Sequence, residues 1–201
     1  MASILKVDTI QDQSGNNIIN ENADTITIGA SGDTITVPTG ASLTVPNGGL
    51  SGQNYPAFEA YLSNDQSVSD NVETKVQFNT KVFDTNTAYD NSTNYRFTPG
   101  VAGKYFIYSS ILNNSNANSN IVDVYSPIIK KNGVTVFMAE NIMQTNYHRQ
   151  AATYGMAILD LNDTDYVEIF GRLNIVSGSG NFEGSATYTR CTKFGAYRIG
   201  A

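Results

Sequence analysis

His148, within Asn146-Tyr147-His148-Arg149-Gln150, is the only histidine of the chain, and Cys191 is its only cysteine. Zinc and its relatives need three or four such ligands, so the sequence offers no transition-metal site. A serine nucleophile of the G-x-S-x-G elbow type is also missing from the sequence. A single cysteine also excludes an intrachain disulfide. Asp160, Asp163 and Asp165 are near enough in sequence to share a hard cation. Their spacing is not that of a calcium loop, and a solvated acidic turn is the simpler reading. Ser177-Gly178-Ser179-Gly180-Asn181 lacks the lysine and following helix of a phosphate loop, and reads as a turn. No catalytic residue, cofactor or metal ligand is therefore assigned, and the expectation is a protein that is not an enzyme. Two segments suit recognition instead. Asn113-Asn114-Ser115-Asn116-Ala117-Asn118-Ser119-Asn120 is short throughout and polar at all positions but Ala117, and the amides of Asn114, Asn116 and Asn118 can donate and accept together, as sugar hydroxyls require. Tyr147, His148 and Arg149 add ring faces and a cation, a frequent composition of binding loops. Both are candidate receptor loops, with ordinary hydrophilic loops as the alternative.

The elements that must hold these loops are strands. Of 201 residues, 23 are Asn and 20 are Thr, while Gly numbers 17 and only 15% are charged. Short polar side chains favour turns and strands over helix interiors. A net charge of −6 removes the electrostatic attraction that drives nucleic-acid and anionic-membrane binding. No apolar run approaches the ~18 residues of a membrane span. The opening Met1-Ala2-Ser3-Ile4-Leu5-Lys6-Val7-Asp8 lacks a basic stretch followed by an apolar one, so a secretory signal is not expected.

All 21 aromatics lie from Tyr55 onward. Residues 1–54 carry one base against five acids and end in the turn-rich Pro46-Asn47-Gly48-Gly49-Leu50-Ser51-Gly52-Gln53-Asn54. We therefore divide the chain into 1–22, 23–54 and 55–201. In the middle segment Asp24-Thr25-Ile26-Thr27-Ile28-Gly29 recurs as Asp33-Thr34-Ile35-Thr36-Val37-Pro38, and a shorter copy follows at Ser42-Leu43-Thr44-Val45-Pro46. Rungs this short cannot bury their side chains within one chain. Several chains wound together would place Ile26, Ile28, Ile35, Val37, Leu43 and Val45 on a common axis as a stalk; a flexible Thr-rich linker is the alternative. The first segment, with Ile4, Leu5, Val7 and Ile10, reads as a terminal strand with nothing nearby to pair, suited to anchoring by strand addition, or as a first rung of the stalk.

From residue 55 about nine or ten strand-like runs alternate with turn signals, as in a β sandwich or jelly roll. The stretch from Phe137 to Ala152 lacks Gly and Pro and has room for a helical turn. Thr74, Val76 and Phe78 alternate with polar residues, as in a strand with one wet face. Three other strands are apolar on both faces: Tyr105, Ile107 and Ile111 against Phe106, Tyr108 and Leu112; Tyr154, Met156 and Ile158 against Ala157, Leu159 and Leu161; Phe194 and Ala196 against Tyr197 and Ile199. A sandwich has one core, so a second dry surface is needed, and contact between subunits supplies it. We assign Phe106, Tyr108, Ala157, Leu159 and Tyr197 to that interface.

Phe78, Asp84, Tyr89, Phe97, Gly103 and Tyr105 follow, with one extra residue between Tyr89 and Phe97, the signature of the complement component 1q head and its tumour-necrosis-factor-like relatives. Ala57-Phe58-Glu59-Ala60, Lys131-Asn132-Gly133, Leu159-Asp160-Leu161-Asn162-Asp163-Thr164-Asp165-Tyr166-Val167 and Phe194-Gly195-Ala196-Tyr197 resemble further pieces in the same order. The resemblance spans residues 56–200 and implies an all-β jelly roll that assembles as a homotrimer. Animal members are secreted and carry a collagen-like stem. Here a Thr/Ile repeat and the opening Ile4-Leu5-Lys6-Val7-Asp8-Thr9-Ile10 resemble fibre and appendage proteins of tailed bacteriophages. That resemblance implies a protein on the virion exterior, joined to other virion proteins through its N-terminus, whose head binds a host-surface glycan or protein. The alternative is a capsid, head or neck decoration fibre that stabilises the particle. A soluble cytokine-like ligand conflicts with the missing secretory signal.

Overall fold

β-branched and aromatic runs punctuated by Gly, Pro and Asn leave little room for helix, and a three-residue 3-10 turn at Thr85–Thr87 is the only helical element among the described residues. The computed structural model describes residues 9–11, 13–15, 17–22, 25–29, 32–42, 54–115, 121–145, 147–184 and 189–200. The chain divides into two compact units, Met1–Leu50 and Ser51–Ala201.

In the first unit β1 (Thr9–Gln11), β2 (Asn17–Asn22) and β3 (Thr25–Ile28) form an antiparallel sheet in that order. Ile10 pairs with Ile19, so the strand expected to lack a partner has one within the chain. Its polar turn through Gln13-Ser14-Gly15 folds β2 back beside it, and Gly15 supplies a φ of 83° there. The first copy of the repeat is β3, whereas the second, residues 33–38, joins no ladder. The repeat is thus not a uniform series of rungs. Ile4, Leu5, Val7, Leu43 and Val45 lie outside the described residues.

The second unit holds β4 (Ala57–Tyr61), β5 (Gln66–Val68), β6 (Thr74–Lys75), β7 (Thr80–Asp84), β8 (Tyr89–Asp90), β9 (Arg96–Phe97), β10 (Gly103–Asn114), β11 (Val122–Lys131), β12 (Val134–Met138), β13 (Asn141–Ile142), β14 (Gln150–Leu161), β15 (Val167–Ile175), β16 (Gly180–Phe182) and β17 (Lys193–Gly200). One sheet runs β5-β16-β10-β17-β4-β7, with β14 paired to the other side of β10. The other runs β12-β11-β15-β9-β8, with β13 on β11 and β6 on β15. This is the all-β jelly-roll sandwich expected. Asn132 and Gly133, at φ 51° and 80°, make the tight turn between β11 and β12, the twist that two-residue hairpins need.

Two expectations need correcting. The described residues of 137–152 contain no helical turn; the end of β12, β13 and the start of β14 lie there. Thr74–Phe78 is a ladder strand only over Thr74–Lys75. Beyond it the Gln66 carboxamide takes over, donating to the Lys75 carbonyl at 2.7 Å and accepting from the Gln77 amide at 2.9 Å. Val76 and Phe78 still reach full burial.

The core lies between the sheets and is built on aromatics. Phe58 stacks on Tyr89 at 4.5 Å between ring centroids and on Phe97 at 5.0 Å, and Phe194 meets it edge-on at 4.8 Å. Contacts of this kind add about 0.5–1.5 kcal/mol each beyond burial. Tyr89 donates its hydroxyl to the Phe78 carbonyl at 3.1 Å, and burial pushes its pKa well up. Asp84 accepts from the Ala88 and Tyr89 amides and from Lys81, fixing the turn that delivers Tyr89 to the core. The aromatic and acidic signature positions of the sequence are therefore core anchors and a turn clamp.

Candidate functional site: an apolar sheet face and a cluster of loops

Strand register decides which apolar residues point away from the core. β10 pairs with β14 over all twelve residues, setting Phe106 opposite Ile158, Tyr108 opposite Met156 and Ser110 opposite Tyr154. On its other side β10 sets Phe106 opposite Tyr197. Directly opposed residues share a face. The outward face of this sheet thus carries Tyr154, Met156 and Ile158 on β14, Phe106 and Tyr108 on β10, and Tyr197 and Ile199 on β17. Tyr154 and Ile158 are each 64% exposed and Met156 56%. Phe106 stacks on Tyr108 at 6.0 Å and tilts against Tyr197 at 5.5 Å, so the patch is continuous across three strands.

Ala157 and Leu159 do not belong to this patch. They lie opposite Ile107 and Tyr105, and pack against the core. The three residues that replace them, Tyr154, Met156 and Ile158, were visible in the sequence as the other half of the same double-faced strand. Only the pairing with Phe106 tells the halves apart.

Beside the apolar patch the same face turns polar. Tyr108 donates its hydroxyl to Glu59 at 2.9 Å, and Arg190 and Lys193 approach that carboxylate at 3.7 and 3.8 Å. Burial and the Glu59 carboxylate push the Tyr108 pKa well up, so it remains a donor. The Tyr108 ring fits over Gly195, where a Cβ would meet its Cζ at 2.3 Å.

The two polar segments singled out by composition meet at one end of the sandwich. The Ser115 amide donates to the Arg149 carbonyl at 3.0 Å; the Val122 amide donates to the His148 carbonyl at 2.8 Å and the His148 amide to Val122 at 3.3 Å. The Val176 amide bonds to the Ile121 carbonyl at 2.9 Å, adding a third segment. His148 and Arg149 are exposed and Tyr147 is half-buried. Asn116 and Asn118 lie outside the described residues. Asn114 is only 7% exposed and its amide donates to Glu183, itself 5% exposed. Its side chain is thus committed inside the protein, so Asn114 is not a surface contact. Glu183 and Asn181, which also donates to that carboxylate, gave no signal in the sequence.

These loops lie far from where the chain joins the head. β4 starts at Ala57 beside Tyr197, which lies beside Phe106. Asn114 is eight residues further along β10, roughly 26 Å at strand rise.

The acidic turn is structural. Asp165 is buried, pairs with Lys131 at 2.8 Å, and accepts from the Asn132 side chain and the Asn162 amide. These donors hold its carboxyl down at about 2. Among the described residues no three His, Cys, Asp or Glu side chains converge to hold a metal ion. No helix among them is long and apolar enough to cross a membrane.

Comparison with known proteins agrees with this architecture. The fold matches murine APRIL at pH 5.0 with a TM-score of 0.50 and 14% identity, over 71% of this chain and 98% of that one. Eiger TNF from S. frugiperda gives 0.49 and 10%, over 71% and 91%. The globular domain of zebrafish complement 1qA gives 0.45 and 16%, over 71% and 93%. At 14% identity the likeness to APRIL speaks to the fold alone. No curated protein sequence matches the chain. Residues 57–189 match the C1q domain, more than half of the chain. With the aromatic core, the two-sheet order and that match in agreement, the chain belongs to the C1q domain family.

Proposed function

We propose that the protein is a homotrimeric fibre or appendage of a tailed bacteriophage, whose heads join through the outward face of the β14-β10-β17 sheet and present the loop cluster to a host-surface glycan or protein. The observation that carries this reading is the unburied apolar face formed by Tyr154, Met156, Ile158, Phe106 and Tyr197. A monomer rarely leaves so continuous a patch in water, and covering each Met or Ile contributes about 1.5–3 kcal/mol. A patch beside a charged cluster such as Glu59, Lys193 and Arg190 also has a definite register, because misplacing a partner would strand those charges.

Ligand capture at the loop cluster is supported by its position at the end away from Ala57. It is also supported by the exposure of His148 and Arg149 and by the Asn-rich composition of residues 113–120. The role is binding rather than catalysis. Placement on a particle, with attachment to other virion proteins through residues 1–22, rests on the Thr/Ile repeat and the opening residues.

The test is to remove residues 55–201 from the particle and measure adsorption to host cells and particle integrity. The expected result is lost adsorption with intact particles. Fragile particles that adsorb normally would contradict host attachment and favour the decoration-fibre role.

A further inference from the structure

The first unit contains strand-forming sequence that its own sheet does not use. Residues 24–29 and 33–38 share the pattern Asp-Thr-Ile-Thr followed by Ile or Val. The first copy forms β3, which pairs with β2 through Ile19 opposite Ile28 and Glu21 opposite Ile26. The second copy has the same alternation but enters no ladder, and Ile35 and Val37 stand exposed at 64% and 44%. β3 closes its sheet on one side only, so its second edge has no ladder partner among the described residues. A groove of about 350 Å³ lined by Ile18, Ile28, Gly29, Asp33, Thr34 and Ile35 lies where the chain leaves β3.

No buried side chain is found among the described residues of this unit, and Ile10, Ile18, Ile19, Ile26 and Ile28 are exposed with Ile35 and Val37. Three short strands with no covered face do not hold together alone in water. An open strand edge and a strand-forming segment outside any ladder are complementary, since strand addition pairs their backbones.

We propose that residues 33–38 of one chain add as a strand to the free edge of β3 in a neighbouring copy, so that the first units of an assembly are interlocked by exchange of the repeat. The occupant is a second copy of this chain because the added segment has the pattern of the strand already accepted by this sheet. The inference rests on the homotrimer reading. Within a trimer the exchange is intramolecular, and intramolecular pairing over short tethers proceeds at effective concentrations near millimolar. Gly29 and Gly32 before the segment, at φ 82° and 97°, let the chain turn out of β3, and Pro38 ends it because proline donates nothing to a ladder.

The test uses the full chain. Amide hydrogen exchange at Thr34–Val37 is read together with the mass in solution. Cross-linking with a short bis-maleimide is then read between co-expressed chains, one carrying Thr27→Cys and the other Ile35→Cys, both in a Cys191→Ser background. Strand addition gives a trimeric mass, slow exchange at Thr34–Val37 and covalent pairs of the two chains. Thr36→Pro should abolish both the protection and the cross-link while the mass is unchanged. A trimer whose Thr34–Val37 amides exchange freely overturns strand addition alone. So does protection accompanied by cross-linking only within a doubly substituted chain, which would mean a hairpin closed on itself. A monomeric mass overturns both this inference and the homotrimer reading.

Discussion

At the scale of single residues, Gly195 is a position of the head with no room for a side chain. The Tyr108 ring lies over it, and that ring carries the hydroxyl held by Glu59. Adding a methyl at Gly195 must push the ring off its site, an overpacking that typically costs about 1–3 kcal/mol. We expect Gly195→Ala to lower the urea midpoint of the head and to weaken assembly, because Tyr108 forms part of the apolar patch. Asp165 gives a pH-dependent case. Its carboxyl is held at about 2 against an ordinary 3.8 by Lys131, Asn132 and the Asn162 amide. A carboxyl depressed by folding stabilises the folded state fully above about pH 4, and the benefit is lost as pH falls through about 2. The gap in urea midpoint between the wild type and Asp165→Asn should therefore be constant above pH 4 and shrink toward pH 2. A gap that stays constant down to pH 2 would mean the Lys131 pair has no net worth.

At the scale of strands, the lesson lies in β14. Its sequence alternates apolar residues on both faces, so composition identifies a strand that needs two dry surfaces but not which surface is which. Phe106 opposite Ile158 settles it, and a single-residue shift in the assignment exchanges the whole face. Adjacent substitutions should separate the faces. Ile158→Asp, on an exposed side chain, should leave the head folded and dissociate the assembly. Leu159→Asp, partly buried on the core side, should destabilise the fold itself, because it sets an unpaired carboxylate against apolar neighbours. Circular dichroism and light scattering on the two variants read the difference directly. By contrast β10 was legible from Tyr105 to Leu112, where both faces are apolar, but its last residues, Asn113 and Asn114, read as loop and are in fact paired with β14. Gln66 standing in for a strand beside Lys75 and Gln77 was not legible. A side-chain bridge between segments eleven residues apart leaves no periodic trace.

At the scale of the whole chain, the division into an aromatic-free first part and an aromatic-rich head was visible from composition, since a core of stacked rings needs rings. The head fold was legible through its resemblance to a family signature, of which Phe78, Tyr89, Phe97 and Tyr105 are core residues and Asp84 holds the turn before Tyr89. The loop cluster was only half legible. Composition marked Tyr147-His148-Arg149 and the Asn-rich segment, but their meeting depends on hydrogen bonds between Ser115 and Arg149 and between Val122 and His148. Asn114 turned inward to Glu183, a partner 69 residues away. The central claim is that the working molecule is three chains joined through the outward face of the β14-β10-β17 sheet. Its most direct test is the absolute mass of the purified full chain by light scattering, with Ile158→Asp measured alongside. We expect three times the 21.7 kDa chain mass for the wild type and loss of that species in the variant. A stable 21.7 kDa monomer, or a trimer indifferent to Ile158→Asp, would contradict it.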